Sequence, residues 1–362
     1  MLIPRCCDSF DCYTDLTQNY DTVFSAGATA PSISSSAART GLNGLRFPAS
    51  TSAGDARSFV QQAFGTNLAT FHVGFAIRPN AWAIGTSGNI YAVTQILSFW
   101  ESGGQHLGIN ILNGGQIAAY GGGPTLLGTA SVNSLALNAW RYIEVKVVVH
   151  NSAGTITVKV DGTTWLALTG VNTRNGSSNA YATSLALGNS SQFTNVSGVT
   201  LGAFDIDDLV TLDTTGSYNN TYIGDVAIKC KFPNANGTTQ QWTRNTGANN
   251  YAAVNENPPD GDTTYVSDAT VGEIDRNLYP TTTGTVVKAV IARPLARKDD
   301  GTSRSIRAVT KSGATLGDNG SDFALSTSYV YYHGLFETDP NTSLPWAIAA
   351  VNSAEFGVKV TV

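Results

Sequence analysis

WRYIEVKVVVHNSAGTITVKVDG, Trp140 to Gly162, carries the most regular pattern in the chain. Ile143, Val145, Val147 and Val149 share one parity, and Tyr142, Glu144, Lys146 and His150 take the other. His150-Asn-Ser-Ala-Gly154 is a turn, after which Ile156, Val158 and Val160 repeat the alternation up to Asp161-Gly162. Alternation with a period of two and one apolar face is the pattern of an antiparallel hairpin packed on one side. The next turn, Asp161-Gly-Thr-Thr, leads into Trp165-Leu-Ala-Leu168.

The same period recurs at Phe71, Val73, Phe75 and Ile77, and at Leu107, Ile109 and Ile111. No helical pattern of ~10–15 residues interrupts it, which disfavours a parallel α/β fold. Composition agrees. The 362 residues are 42% hydrophobic and include 37 glycines, with Ser, Thr and Asn plentiful. These are strand and turn formers rather than helix formers.

The fold class read from this is all-β: a large two-sheet jelly-roll sandwich, then an extended linker, then a small β-sandwich. Residues 1–19 read as an N-terminal arm and 20–230 as the large sandwich. Residues 231–283, rich in Asn, Thr, Gly, Asp and Pro, read as the linker. One short helix is expected there at Asp268–Leu278, with Asp268 as its cap and Pro280 as its stop. Residues 284–362 read as the small C-terminal sandwich, with strands expected at 285–292, 303–311, 327–336, 345–351 and 355–362.

Several segments of 20–230 resemble the laminin-G/concanavalin A-like jelly roll. They are Gly41-Leu-Asn-Gly-Leu-Arg-Phe47, Trp140-Arg-Tyr-Ile-Glu-Val-Lys-Val, Val158-Lys-Val-Asp-Gly162, Leu185-Ala-Leu-Gly188 and Phe204-Asp-Ile-Asp-Asp-Leu-Val210. A second resemblance, to virion proteins of tailed bacteriophages, is carried by three further segments. These are Tyr222-Ile-Gly-Asp-Val through Gln241-Trp-Thr, Asn250-Tyr-Ala-Ala-Val through Thr264-Tyr-Val266, and Val271-Gly-Glu-Ile-Asp275.

The second resemblance implies a non-enzymatic structural protein of the virion (a head decoration, collar or tail-associated component). It would pack on other virion proteins and on copies of itself as a homo-oligomer, assembled in the host cytoplasm. The alternative it implies is a phage adhesin or tail-fibre protein that binds host-surface carbohydrate through the jelly roll.

Chemistry is sparse in the chain. The acidic run FDIDDLVTLD, Phe204 to Asp213, places Asp205 and Asp207 on one parity. Glucanases on related folds need two carboxyls about 5 Å apart for retaining hydrolysis, but no Glu lies within this run. Asp205 and Asp207 are also the weak calcium candidates, although the aspartates 205, 207, 208 and 213, all on one strand, diverge to opposite faces. Asp208 breaks the alternation, so a bulge or a buried, hydrogen-bonded carboxylate is expected there, accepting from backbone or hydroxyl donors.

His72, His106, His150 and His333 match no metal or catalytic spacing and read as surface residues. Trp82, Trp100 and Tyr120, at or near strand ends, are the candidates for stacking on a glycan. No catalytic residue and no cofactor is expected.

Net charge is -5, and the basic cluster at 293–298 is diluted by Asp299 and Asp300, so no nucleic-acid partner is expected. No apolar run of ~18 residues supports membrane insertion, and no secretory signal is expected from MLIPRCCDSFDCY. Cys6, Cys7 and Cys12 lack zinc-site spacing. That leaves a disulfide within the arm or between chains, or plain thiols of a reducing cell. Cys230 reads as a buried core thiol.

Overall fold

The computed structural model describes residues 5–52, 57–83, 93–122, 125–130, 132–190 and 199–362. The chain divides into two compact units, Met1–Ile228 and Lys229–Val362.

In the first unit, the hairpin of Arg141–Val148 (β12) and Gly154–Val160 (β13) forms in the register its alternation requires. Ile143 faces Val160, Val145 faces Val158, and Val147 faces Ile156. All six are buried, and opposed β-branched pairs of this kind are the stabilising unit of a sheet.

The hairpin extends into an eight-stranded sheet. On one side β13 pairs with Thr163–Val171 (β14). On the other, β12 is followed by Thr70–Ala81 (β7), Ala203–Asp213 (β17), Gly44–Phe47 (β4) and Ser32–Ser34 (β3). Cys6–Asp8 (β1) also pairs with β17.

The second sheet has seven strands. In order they are Leu126–Thr129 (β11), Ile117–Gly121 (β10), Gly104–Leu112 (β9), Val93–Glu101 (β8), Ala182–Asn189 (β15), Arg57–Leu68 (β6) and Thr22–Ala26 (β2). Ser50–Ser52 (β5) and Val199–Leu201 (β16) form a separate small pair.

The two large sheets pack face to face. Phe71 of β7 meets Phe99 of β8 at 4.7 Å and Phe64 of β6 at 5.5 Å between ring centroids. The seven-stranded sheet contributes Val60, Leu97, Leu107, Ile109, Ala119 and Leu187 to the core, all essentially without exposure. The all-β two-sheet sandwich expected from the alternation is therefore the fold.

Several local expectations are corrected. Of the expected arm 1–19, the described residues 5–19 are built into the sandwich: Phe10 and Tyr13 are fully buried. The buried Asp8 carboxylate accepts from Tyr13 (2.5 Å), Asn19 (2.7 Å) and Tyr20 (3.1 Å). Cys230 is disulfide-bonded and so is not a core thiol, while Cys6 and Cys7 keep their thiols. Residues 222–228 form no strand; they run as irregular chain.

The stretch 231–283 also behaves differently from a linker. It supplies Ala235–Gln240 and Ile274–Leu278 to the main sheet of the second unit, beside Glu355–Val360, Ser305–Ser312, Thr315–Asp318 and Phe323–Ala324. The helix expected at Asp268–Leu278 is absent. Asp268 accepts the Thr270 N–H at 2.5 Å in a turn, and Gly272 follows at φ +98. Ile274–Leu278 is then paired on both edges, by Ala235–Gln240 and by Glu355–Val360, so neighbouring strands override local helix preference. A helix forms instead at Ile348–Ser353, where a strand was expected. Its consecutive alanines suit it, since Ala is the best helix former.

Candidate functional site

The two outer faces of the sandwich differ. On the eight-stranded sheet, the outer face is covered by the chain's own residues 218–228. Glu144 accepts the N–H groups of Ile223 (2.9 Å) and Gly224 (3.0 Å). The Tyr222 ring stands edge-on to His72 at 4.8 Å, with Lys159 Nζ 4.1 Å from its centroid. Arg39 forks onto Asp225, both contacts at 2.7 Å.

The DIDD run sits under this strap. Asp208 has φ +54, and the register shifts between Asp207 and Val210, so the parity break is a bulge. Beyond it Thr211 faces Val73 and Leu212 faces His72. Val210 and Leu212, which unbroken alternation from Phe204 and Ile206 would place in the core, are therefore on the outer side. Asp208 accepts from Ile228 N (2.6 Å) and Thr40 Oγ1 (3.0 Å), the donor types expected, and also from the Arg39 guanidinium (Nη1, 3.2 Å), which was not expected.

Neither calcium candidate is free to take a cation. Asp205 is filled by Arg46 (2.8 and 3.1 Å), Arg78 (2.7 Å) and Asn80 (2.8 Å). Asp207 accepts three backbone N–H groups, from Arg39 (2.7 Å), Thr40 (3.0 Å) and Asp208 (2.7 Å).

Burial, with the Asp208 carboxylate beside it, pushes Asp207 up to about 7 against those three donors. A carboxyl whose folded pKa exceeds its unfolded value contributes stability that is complete below the unfolded value and lost as pH rises through the folded one. Thermal stability therefore gains an Asp207 contribution as pH falls through about 7. Asp207→Asn flattens that part of the stability–pH curve. A curve unchanged by the substitution would refute this assignment.

On the seven-stranded sheet, one row of directly paired residues runs across six strands. Thr22 pairs with Gln61, Gln61 with Ala186, Ala186 with Ser98, Ser98 with Gly108, and Gly108 with Tyr120. Alternate residues point to opposite faces, and the next row (Val60, Leu187, Leu97, Ile109 and Ala119) fills the core. The Thr22-to-Tyr120 row therefore lies on the outer face. At strand spacings of 4.7–4.9 Å it spans about 24 Å.

Flanking this row, a chain of hydrogen bonds runs in one sense. Trp100 Nε1 donates to Ser98 Oγ at 2.8 Å. Ser98 and Ser190 share a hydroxyl contact at 2.6 Å, and Ser190 Oγ donates to Gln95 Oε1 at 2.8 Å. Gln95 Nε2 donates to Gln105 Oε1 at 3.4 Å.

Gly108 leaves room for this chain: a Cβ there would come within 2.2 Å of Gln95 Nε2, so the amide would have to shift. The chain ends unfilled. Gln105 Nε2 has no partner, and neither Nδ2 nor Oδ1 of Asn110 has one. Asn110, paired with Gln95 and Ala118, is 0% exposed. Leaving buried amide groups unmet is costly.

Two of the three glycan candidates fall on this face. Trp100 is half-buried and tied to Ser98, and Tyr120 is half-buried opposite Gly108, with burial raising its hydroxyl pKa. At the far edge Phe24 stacks on Phe59 at 5.2 Å. Trp82 is elsewhere; its ring edge lies beside Gly115 in the turn between β9 and β10.

Three of the four histidines expected on the surface are buried. His106 accepts from Gly176 N at 3.0 Å and lies 2.9 Å from Tyr181 O, so Nε2 carries the proton. It ties 176–181 to the sheet as a neutral ring, its pKa lowered by burial.

The amides Gln61, Gln95, Gln105 and Asn110 were missed by sequence reasoning. Gln95 and Gln105 reach this face only through register shifts between Gln95 and Leu97 and between Phe99 and Trp100, so sequence parity did not place them there.

No family model matches the chain, and no curated protein matches it. It is similar in fold to an endo-β-1,4-glucuronan lyase from the fungus Trichoderma reesei, at 15% identity and a TM-score of 0.41, over 56% of this chain and 92% of that one. It is also similar to the cellulose induced protein Cip1, at 14% identity and a TM-score of 0.40, over 61% and 94%. A third similar structure is alginate lyase Aly36B, at 9% identity and a TM-score of 0.38, over 59% and 98%. These likenesses concern the β-sandwich. The expectation of a non-enzymatic virion packing protein, with its adhesin alternative, is corrected by them: the similar structures bear the names of polysaccharide lyases rather than virion components.

Proposed function

We propose that this protein is carbohydrate-active and holds an extended glycan along the outer face of its seven-stranded sheet. The observation that carries this reading is the set of half-buried side chains on that face, Thr22, Gln61, Trp100 and Tyr120, two of them aromatic, with the buried Ala186, Ser98 and Gly108 supporting the row between them. Each sugar hydroxyl both donates and accepts, as an amide side chain does. Each pyranose also has an apolar C–H face that suits a half-buried ring such as Trp100 or Tyr120. A span of about 24 Å accommodates several sugar rings in sequence.

The test is affinity electrophoresis against a panel of soluble polysaccharides, with parallel assays for new reducing ends and for unsaturated sugar products. At least one polymer is retained, and Trp100→Ala weakens that retention about tenfold, or ~1.4 kcal/mol, with the unfolding temperature little changed. Retention of none, or retention indifferent to Trp100, would sink the reading.

A further inference from the structure

We infer that β14 is an association edge, through which two copies of this chain join antiparallel about a two-fold axis so that their eight-stranded sheets run on as one. This is independent of the glycan reading, which concerns the other sheet.

An open sheet ends in edges whose unpaired N–H and C=O groups invite another strand, and proteins blunt such edges by keeping them short, charged or proline-bearing. Three of the four strands that end the two large sheets are short: β3 has three residues, β11 four and β2 five. The fourth, β14, has nine, and its sequence TTWLALTGV holds no charge and no proline. Thr163, Thr164, Ala167, Thr169 and Gly170 are exposed, and only Leu166 is buried. Among the described residues β13 is its one strand partner, and no backbone hydrogen bond reaches its other edge. Bulges are a further way to blunt an edge, and β14 has two: its register against β13 skips Trp165 and Gly170. They bracket the regular run Leu166–Thr169 rather than interrupt it.

Symmetry and charge point to a second copy as the occupant. Residues directly opposite in a ladder share a face, so a two-fold axis perpendicular to the joined sheet passes through one residue of the strand. Overlap of all of Thr163–Val171 makes that residue Ala167. Leu166 then faces Leu168 of the second copy, and the exposed Ala167 faces its own counterpart. Asp161, which shares an exposed ion pair with Arg141 at 2.7 Å, precedes the strand. Arg174 follows it, and its Nε has no hydrogen-bond partner. Antiparallel overlap brings the Asp161 end of each copy toward the Arg174 end of the other, whereas parallel overlap would set like ends together. One strand pair buries less than the roughly 1,000 Å² of a lasting interface, so the dimer is weak and reversible.

The experiment follows the mass of the full chain by sedimentation and light scattering from about 1 to about 500 μM, a range that covers weak association. The expected mass rises with concentration toward that of a dimer. Ala167→Lys sets two like charges directly opposite each other, which destabilises a cross-strand pair. It weakens association about tenfold or more, with the unfolding temperature little changed, and Ala167→Asp alone does the same. Mixing the two variants restores association, a result that misfolding of either would not give.

A chain that stays monomeric throughout overturns the inference. Association indifferent to Ala167→Lys overturns it too, because the contact then lies elsewhere. Mass that grows past the dimer overturns the two-fold closure.

Discussion

Asp205→Ala lowers the stability of the chain by on the order of 3 kcal/mol. The carboxylate is fully buried on β17, between Arg46 of β4 and Arg78 of β7, each about a quarter to a third exposed. Asn80 donates to the same oxygen as Arg78, and Arg78 also reaches the Ser36 carbonyl. Removing the carboxylate leaves two guanidiniums against one another with no anion between them, and that loss dominates over the small cavity. The figure lies at the lower end for broken buried pairs because water reaches both arginines.

The same group has its pKa lowered by Arg46, Arg78 and Asn80 despite burial. Its contribution is therefore present above the unfolded carboxylate value and lost as pH falls through the lower folded one. Asp205→Asn keeps an acceptor for one arginine and falls between the wild type and the alanine variant. Urea unfolding measures the change. A loss under ~1 kcal/mol would show that the triad contributes no more than surface pairs do.

Trp346→Ala costs about 3–5 kcal/mol in the second unit. Trp346 belongs to a buried cluster with Ala308, Phe336, Ala354 and Phe356, against which Tyr279, Val290, Phe323 and Val351 pack partly buried. Trp346 is its largest member. Its ring lies 5.7 Å from Phe356, and its Nε1 donates to the Phe336 carbonyl at 3.0 Å. The alanine variant opens a cavity and orphans that carbonyl, two separate penalties. In calorimetry one transition moves to lower temperature, and Trp346→Phe recovers most of the shift. A two-unit chain need not unfold in one step, so the transitions are fitted separately. No displaced transition in Trp346→Ala would contradict this account.

Alternation is local, so the chain states it openly. The Ile143-to-Val149 and Ile156-to-Val160 runs announce a hairpin, and their observed pairing follows from parity plus one turn. The break at Asp208 was equally plain, because a single residue on the wrong parity has few structural solutions. The strands at Ser305–Ser312 and Glu355–Val360 were legible for the same reason.

Parity says which face a residue takes, not who stands beside it. Asp205 finds its arginines across separations of 159 and 127 residues. Ile274–Leu278 became a strand because two other strands bracket it, while its own residues are compatible with a helix. The outer face of the seven-stranded sheet is the clearest case. Trp100 and Tyr120 could be named in advance as aromatic residues near strand ends. Gln95, Gln105 and Asn110 could not, since an outward amide reads the same whether it meets water or another amide.

Residue order and side-chain type thus settle the all-β class, the hairpin registers and the bulge, because each depends on neighbours within a few residues. Strand order settles the rest. It brings Thr22, Gln61, Ala186, Ser98, Gly108 and Tyr120 into one line, closes one outer face with residues 218–228, and leaves the Asn110 amide unmet beneath the other. Those outcomes depend on register between strands far apart in the chain, which no local pattern encodes.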